Sequence, residues 1–322
     1  MRALTATSLL LAALASAPAA AMTAYVTNER DNTISVVDLD AGKTVQTIPV
    51  GQRPRGIAIT RDGKQLLVCA SDDDTVQIID TATLQVVGEL PSGPDPETFA
   101  LNPVGNLLAV SNENDSMITL VDVATRQALA TVPTGVEPEG MGFSPDGKIV
   151  VNTSETTNMA HFVDVATRAV VANVLVDPRP RAAMFRHDGR EVWVSSELGA
   201  TVSVIDAAKH AVTAHISFDV QGLRREAIQP VGIRFAPDDS IAFVALGPAN
   251  RVAVIDAKTY KVLQYLLVGQ RVWQLDFTPD GKYLLTTNGL SNDISVIDVA
   301  ALKVVRSIPV GRLPWGVVVA PP

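Results

Sequence analysis

The sequence is poor in cysteine and histidine, the residues that most often carry metal or nucleophilic chemistry. Its 322 residues include one cysteine, Cys69, and four histidines. Cys69 lies in the apolar run 66–70, which predicts a buried structural thiol in a chain large enough to fold without disulfides. Lys and Arg form no cluster and the net charge is −8. Nucleic acid and anionic membranes are therefore not expected partners.

Long hydrophobic runs are also missing, apart from a short one at the N-terminus. Arg2 is followed by the apolar residues 8–14 and by three alanines at 19–21, which is the pattern of a secretory signal peptide. The run is too short to span a bilayer. We expect a Sec-type signal peptide over 1–21 and a soluble periplasmic or secreted protein over 22–322. The alternative is an N-terminal helix of the fold.

Helical periodicity is absent beyond the N-terminus, and a repeat takes its place. An apolar residue followed by aspartate recurs seven times, with steps of 42, 42, 42, 42, 50 and 42 residues. The repeated aspartates are Asp38, Asp80, Asp122, Asp164, Asp206, Asp256 and Asp298. Seven copies at so regular a period indicate a repeat architecture.

Each copy has four strand signals separated by turn residues. In the second copy they are 55–59, 65–70, 75–80 and 85–90. Four short antiparallel strands, repeated seven times, predict an all-β fold: a seven-bladed β-propeller of four-stranded antiparallel blades. The aspartate that ends each third strand is expected to accept backbone N–H groups of the following turn, which is a structural role.

The two ends of the repeat region are complementary. Residues 23–28 match the second strand of other copies, and residues 314–319 match the first strand. We therefore expect the C-terminal strand to pair with the N-terminal strands within one blade. This pairing closes the ring and removes two exposed sheet edges.

The first copy carries a specific resemblance. Tyr-Val-Thr-Asn at 25–28, followed by Asp-Asn-Thr-Ile-Ser-Val-Val-Asp at 31–38, is similar to the YVTN family of β-propeller repeats. Within it, the chain resembles periplasmic propellers associated with catabolism dependent on pyrroloquinoline quinone (PQQ), encoded near quinoprotein alcohol dehydrogenases. The resemblance implies a non-catalytic accessory role in periplasmic alcohol oxidation, with such a dehydrogenase as partner. PQQ enters through this resemblance alone, and the chain is expected to hold no cofactor.

One set of side chains varies from blade to blade. The innermost strands of a propeller line its channel, and six of their seven starting segments contain proline, which fixes the loop before the strand. The residue after the proline position forms a ring at the channel mouth, and Val231 is its one aliphatic member. The charged and aromatic side chains on either side of the proline position, which Val272 occupies in one blade, are the candidate ligand-binding residues: Arg53, Arg55, Asp95, Glu97, Glu137, Glu139, Arg179, Arg181, Arg271, Trp273 and Trp315.

Two interpretations of this ring remain open. In the first, arginines, carboxylates and indoles form a pocket for a planar or polyol ligand. In the second, Arg55 pairs with Glu97 and Glu139 with Arg181 across neighbouring blades, and the tryptophans plug the channel. Loops between second and third strands add further acidic residues on the same face: 72–74, Glu113, Asp115, Glu155 and Glu197. Their spacing matches no EF-hand, so we expect solvated acidic loops and no metal site.

The histidines lie away from the ring, at His161, His187, His210 and His215. A Ser-His-Asp arrangement is therefore not expected. Nor is haem ligation like that of the nitrite reductase propeller, which the chain resembles more distantly.

Binding, not catalysis, is the expected function. We expect a monomer that binds a partner protein or a small ligand over the ring. The alternatives are a lactonase-like, metal-assisted hydrolase using Glu97 or Glu139, and a surface interaction propeller. The lengthened segment 218–228 falls on the same face, as a lid or docking element or as a neutral surface loop.

Overall fold

A computed structural model describes residues 22–321, so the predicted signal peptide, 1–21, lies outside the described residues. Residues 22–321 form seven four-stranded antiparallel sheets, the blades of a propeller. Val-, Ile- and Thr-rich runs favour strands, and the Asp, Asn and Gly between them favour tight turns. The predicted seven-bladed propeller is confirmed. No helix between residues 22 and 321 has the length and apolarity needed to cross a membrane.

The blades are numbered along the chain, and each runs from an innermost strand at the channel to an outer edge strand. Blade 1 contains β28 (Pro314–Val319), β1 (Thr23–Asn28), β2 (Thr33–Asp38) and β3 (Lys43–Pro49). Blade 2 contains β4 (Pro54–Ile59), β5 (Gln65–Ala70), β6 (Thr75–Asp80) and β7 (Gln85–Pro91). Blade 3 contains β8 (Pro96–Leu101), β9 (Leu107–Asn112), β10 (Met117–Asp122) and β11 (Gln127–Pro133).

The remaining four blades follow the same order from the channel outwards. Blade 4 contains β12 (Pro138–Phe143), β13 (Ile149–Ser154), β14 (Met159–Asp164) and β15 (Ala169–Leu175). Blade 5 contains β16 (Pro180–Phe185), β17 (Glu191–Ser196), β18 (Thr201–Asp206) and β19 (Ala211–Ser217). Blade 6 contains β20 (Ile233–Phe235), β21 (Ile241–Ala245), β22 (Arg251–Asp256) and β23 (Val262–Leu267). Blade 7 contains β24 (Val272–Phe277), β25 (Tyr283–Asn288), β26 (Asp293–Asp298) and β27 (Lys303–Pro309).

The C-terminal strand closes the ring as predicted. β28 pairs antiparallel with β1, with Val317 opposite Val26 and Val319 opposite Ala24. Each innermost strand contacts the innermost strand of the next blade all the way round, including β28 with both β24 and β4. Side chains from successive blades therefore converge on one central channel.

The repeated aspartates have the predicted structural role. Asp80 accepts hydrogen bonds from the backbone N–H groups of Ala82 and Thr83 at 3.1 and 2.7 Å. Asp164 accepts the N–H of Thr167 in the same way, at 2.7 Å. These turns lie on the face opposite the channel mouth, because every third strand runs away from it.

The core consists of apolar clusters between neighbouring blades. Trp193, Phe162 and Phe243 are among the largest fully buried side chains, and Cys69 is buried in β5 as predicted. Gly140 faces the backbone of β16 so closely that a Cβ would overlap the carbonyl of Arg181. Because glycine has no side chain, the backbones of β12 and β16 can lie close together beside the charged residues of the channel.

The lengthened segment 218–228 packs against blades 5 and 6. Phe218, Val220 and Ile228 are buried in the apolar cluster of blades 5 and 6. The first strand of blade 6 begins at Ile233, later than proline spacing predicts, although Val231 and Gly232 still make backbone hydrogen bonds with Ala245 at 2.9 Å. The segment is thus anchored through its apolar residues.

The channel-mouth network as candidate functional site

The loops before the innermost strands and those between second and third strands emerge on one face, which we call the mouth face. The residue before the proline position has a left-handed backbone, with φ of 52° at Arg53, 55° at Asp95 and 58° at Arg179. Such a conformation costs of order 1 kcal/mol for a non-glycine residue. A side chain of the preceding blade holds this backbone conformation: Asn158 of blade 4, for example, accepts the backbone N–H of Arg179 at 3.0 Å. The charged side chains therefore start from fixed positions.

The charged side chains of the mouth face pair with one another in a network. The first half of this network joins blades 2 and 3. Glu97 is completely buried and accepts from both Arg53, at 2.9 Å, and Arg55. Arg53 also pairs with Asp95, and with Asp72 at 2.6 Å. Two guanidiniums thus surround one buried carboxylate, an arrangement in which charge-assisted hydrogen bonds offset the cost of desolvation.

The second half is centred on Arg181 of blade 5. Its guanidinium pairs with Glu139 at 2.9 Å, with Glu155, and with Glu197 at 3.8 Å. Arg179 joins the same Glu155 and Glu197, each at 3.0 Å, from a more solvated position. The Arg181 side chain is 7% exposed and that of Arg179 is 45% exposed. Arg181 is therefore the buried cation of this half.

Two tryptophans occupy the remaining sector. The Arg271 guanidinium lies 4.1 Å from the ring centre of Trp273, and that of Arg181 lies 5.8 Å away, so this indole interacts with two cations. Arg271 also donates to Glu197 at 2.9 Å. Trp315 is buried and lines the central channel. Trp273 is half-buried.

The structure brings most candidate residues into this network. Both predicted pairs form, Arg55 with Glu97 and Arg181 with Glu139. Glu137 is the exception: its carboxylate accepts from Thr156 and, within 22–321, pairs with no arginine. The charged side chains therefore follow the second interpretation, in which residues of the ring pair with one another across neighbouring blades.

Five carboxylates outside the candidate set belong to the network: Glu29, Asp72, Glu113, Glu155 and Glu197. Glu155 and Glu197 bind its arginines, and Glu29 pairs with Arg55 at 3.3 Å. Glu155 and Glu197 each lie 18 residues after a pre-proline residue whose carbonyl accepts their N–H, Glu137 and Arg179. That fixed spacing is a sequence signal for them. Glu29 occupies the equivalent position in blade 1: it directly follows β1, and its N–H donates to the carbonyl of Leu313, the residue before Pro314, at 3.0 Å.

Carboxylates outnumber guanidiniums in the network. Burial and this excess of negative charge raise the pKa values of several carboxylates. Burial raises the pKa of Glu113 to about 8, reinforced by a hydrogen bond to Glu97 and by nearby negative charge. Burial and the charge of Glu97 raise the pKa of Asp95 to about 6. Burial would raise the pKa of Glu97 too, but Arg55, Glu113 and Arg53 outweigh it and hold it below its ordinary value. Burial raises the pKa of Glu139 well above its ordinary range, against the opposing charge of Arg181.

Replacing Glu113 by glutamine is expected to alter the pH dependence of stability. The folded state keeps a proton on Glu113 up to about pH 8, whereas the unfolded chain releases it near pH 4.5. This carboxyl therefore lowers the free energy of unfolding as pH rises between those values. Because the side chain is partly solvated, we expect Glu113→Gln to stabilise the protein by about 2 kcal/mol at pH 8.5 relative to pH 5. Urea unfolding at both pH values measures this, and an equal effect at both would contradict it.

One part of the network has the composition of a cation site. Carboxylate oxygens of Asp95, Glu97 and Glu113 lie within 4.8 Å of one another. Arg53 and Arg55 already hold Glu97, however, so a divalent ion would face two positive charges at short range. Hydrogen bonds from the arginines and a proton shared between carboxylates stabilise these three groups better than a divalent cation would.

Two protein families match parts of the chain. The family described as "Lactonase, 7-bladed beta-propeller" matches residues 14–137. The family described as "Choice-of-anchor I domain" matches residues 109–292. None of the curated proteins compared with the chain matches it in sequence.

Solved structures of similar shape share the propeller. Hydrazine synthase of Kuenenia stuttgartiensis superposes with a TM-score of 0.79 at 21% identity, over 86% of this chain and 92% of that one. A functionally unknown protein from Desulfotomaculum acetoxidans gives 0.80 at 16%, over 93% and 99%. Dihydro-heme d1 dehydrogenase NirN, in complex with DHE, gives 0.68 at 16%, over 92% and 74%. At these identities the likeness concerns the fold alone.

The closed ring of blades and its charged mouth define a seven-bladed β-propeller. The chain belongs to the choice-of-anchor I domain family, whose match spans more than half of it.

Proposed function

We propose that this propeller is a non-catalytic binding protein whose mouth face docks a partner protein. The observation that carries the proposal is the division of that face into an acidic side and an apolar side. A partner that combines basic and apolar side chains would match both. The resemblance to propellers linked with PQQ-dependent oxidation makes a periplasmic quinoprotein alcohol dehydrogenase the partner to test, which also requires export of the chain.

The apolar side is an arc of exposed aliphatic residues across blades 4 to 7. Leu198 and Leu290, in loops between second and third strands, are 65% and 63% exposed. The arc also includes other loop and strand-end residues on this face: Val136, Leu175, Leu223 and Leu267. Exposed aliphatic side chains concentrated on one part of a surface favour protein contact.

The acidic side covers blades 2 and 3. Seven carboxylates there face two guanidiniums, those of Arg53 and Arg55. The carboxylates belong to Asp72, Asp73, Asp74, Asp95, Glu97, Glu113 and Asp115. Surplus negative charge beside an apolar arc selects a basic partner and speeds its association at low salt.

Occupied arginines argue against direct binding of the quinone at the mouth. PQQ is a tricarboxylate, and its recognition needs guanidiniums with free donors. Arg53, Arg55, Arg179, Arg181 and Arg271 all pair with carboxylates of the network. The proposed role is therefore contact with the partner protein and not with its cofactor.

Binding of the dehydrogenase from the same organism, measured by biolayer interferometry, tests the proposal. We expect the double variant Leu198→Ser, Leu290→Ser to weaken binding about tenfold or more, because interface cores depend on a few buried apolar contacts. Val104→Ser is the matched control, since Val104 is 63% exposed in a turn on the opposite face. Wild-type binding should also weaken from 50 to 300 mM salt. Absence of binding, or equal losses in both variants, would refute it.

A lactonase-like hydrolase is the second candidate. The lactonase match over residues 14–137 and the carboxylate cluster of Asp95, Glu97 and Glu113 favour it. We expect no hydrolysis of five- and six-membered lactones with or without millimolar Ca²⁺, because arginines hold Glu97 and Arg181 holds Glu139. Turnover that is lost in Glu97→Gln would establish the hydrolase instead.

A further inference from the structure

Glu137 differs from the charged residues that occupy the same position in other blades. Four other blades carry a charged side chain just before the proline position, and each pairs with an opposite charge on the mouth face: Arg53, Asp95, Arg179 and Arg271. Within residues 22–321, Glu137 pairs with no cation. Its Oε2 atom accepts from the Thr156 hydroxyl, and its Oε1 atom accepts from no donor of the described chain. One carboxylate oxygen is therefore available to a donor from another molecule.

Backbone and side-chain hydrogen bonds hold this carboxylate in place. Glu137 has a left-handed conformation with φ of 57°, and its carbonyl accepts the N–H of Glu155 at 2.9 Å. The hydrogen bond from Thr156 fixes the end of the side chain. A group that is already oriented loses little conformational freedom when a ligand binds it, so more of the interaction contributes to affinity.

A groove between blades 4 and 5 leads to the carboxylate. It holds about 340 Å³ and is open to solvent. Glu137 and Thr156 line its blade 4 side, and Pro178 and Leu198 line its blade 5 side. Leu198 is 65% exposed, and Pro178 is also exposed. The groove thus places an apolar wall opposite a carboxylate.

The charges around the groove favour a cation. Glu137 and Glu155 line it together with one guanidinium, that of Arg179. Arg179 is already neutralised by Glu155 and Glu197, each at 3.0 Å. The remaining negative charge is that of Glu137, which attracts a positive group and repels an anion.

We propose that the groove receives a lysine or arginine side chain of the partner that docks on the mouth face. The cationic end donates to Glu137 Oε1, and the methylene stem packs against Leu198 and Pro178. This inference rests on the proposed function and gives it a specific anchor, near the boundary between the acidic and the apolar sides. A basic side chain with an aliphatic stem matches both sides at once.

The groove can be tested without the partner. Leucine methyl groups labelled with ¹³C report on Leu198, whose NMR signals are assigned by their loss in Leu198→Ser. The probes are Nα-acetyl-lysine methylamide and Nα-acetyl-norleucine methylamide, which differ only in the terminal ammonium group. We expect the lysine probe to bind at least threefold more tightly, because an exposed ion pair adds a small favourable energy.

Two variants decide whether Glu137 causes this preference. Glu137→Gln should bring the affinities of the two probes within 1.5-fold of each other. Glu89→Gln is the matched control, since it removes the same charge from an exposed position on β7, the outer strand of blade 2. We expect it to leave the preference for the lysine probe unchanged.

The same variants separate the anchor from general electrostatics in the docked complex. We expect Glu137→Gln to weaken binding of the quinoprotein dehydrogenase at least fivefold and Glu89→Gln less than twofold, because a charge pair at an interface is shielded from water. If one partner side chain contacts both Glu137 and Leu198, the two sites are coupled. Glu137→Gln with Leu198→Ser should then lose less affinity than the product of the single losses, whereas the losses of Glu137→Gln and Leu290→Ser should multiply.

Two results would overturn the proposal. Equal affinities of the lysine and norleucine probes for the wild-type protein would mean that the groove has no preference for a cation. Equal effects of Glu137→Gln and Glu89→Gln on a dehydrogenase that binds would show that docking does not use the groove. A dehydrogenase that does not bind, beside a lysine preference that Glu137→Gln abolishes, would refute the proposed partner and support the groove.

Discussion

Replacing Arg181 by methionine is expected to lower the free energy of unfolding by about 3–5 kcal/mol at pH 8. The guanidinium is 7% exposed and holds Glu139 and Glu155 by direct pairing. Without it, two buried carboxylates lose their neutralising charge, and methionine restores neither hydrogen bonds nor charge. Breaking a buried pair costs more than the pair contributes, because the remaining charge has no solvent to stabilise it. Urea unfolding followed by circular dichroism measures the loss.

Arg179→Met is the control for this prediction. Arg179 pairs with Glu155 and Glu197 at 3.0 Å but is 45% exposed, so water replaces much of what it supplies. We expect it to cost about 0–1 kcal/mol. The Arg181→Met deficit should also shrink as pH falls, because burial already raises the pKa of Glu139 and Glu155 and loss of Arg181 raises it further, so that the stranded carboxylates take up protons above their ordinary range. Similar losses in the two variants would show that burial of Arg181 does not determine its contribution.

The fold could be predicted from the sequence because its signals are local and repeated seven times. The aspartates, at steps of 42 residues with one step of 50, mark the end of each third strand, and each lies where predicted. Closure followed from matching 314–319 to first strands and 23–28 to second strands. The late start at Ile233 was not predictable, because Pro230 lies 26 residues before Asp256, the same spacing that separates Pro54 from Asp80 in blade 2.

The site was predictable in position but not in its pairing. Proline spacing located Arg55, Glu97, Glu139 and Arg181 at one mouth, because neighbouring blades repeat at fixed intervals. Which carboxylate each arginine reaches depends on side-chain direction across blades. Arg53, for example, pairs with residues 19, 42 and 44 positions away. The repeat period shows which residues lie on neighbouring blades, but only the packing of the side chains decides which carboxylate each arginine pairs with.

Removing residues 314–322 is expected to abolish cooperative unfolding. β28 is the innermost strand of blade 1, and all six of its residues are buried. Burial of Trp315, Val317, Val318 and Val319 is worth roughly 6–12 kcal/mol, comparable with the whole stability of a typical domain. Deletion also exposes the edge of β1, which favours aggregation.

Truncation after Ala320 is the matched control, since it shortens the chain but keeps β28 and its pairing with β1. Differential scanning calorimetry should show one sharp transition for this shorter truncation and none for the longer one. Because blade 1 is assembled from both ends of the chain, the other blades lose their closure when it opens, and the effect spreads round the ring. A chain ending at Leu313 that still unfolded within 5 °C of the full protein would mean that the blades are stable without closure.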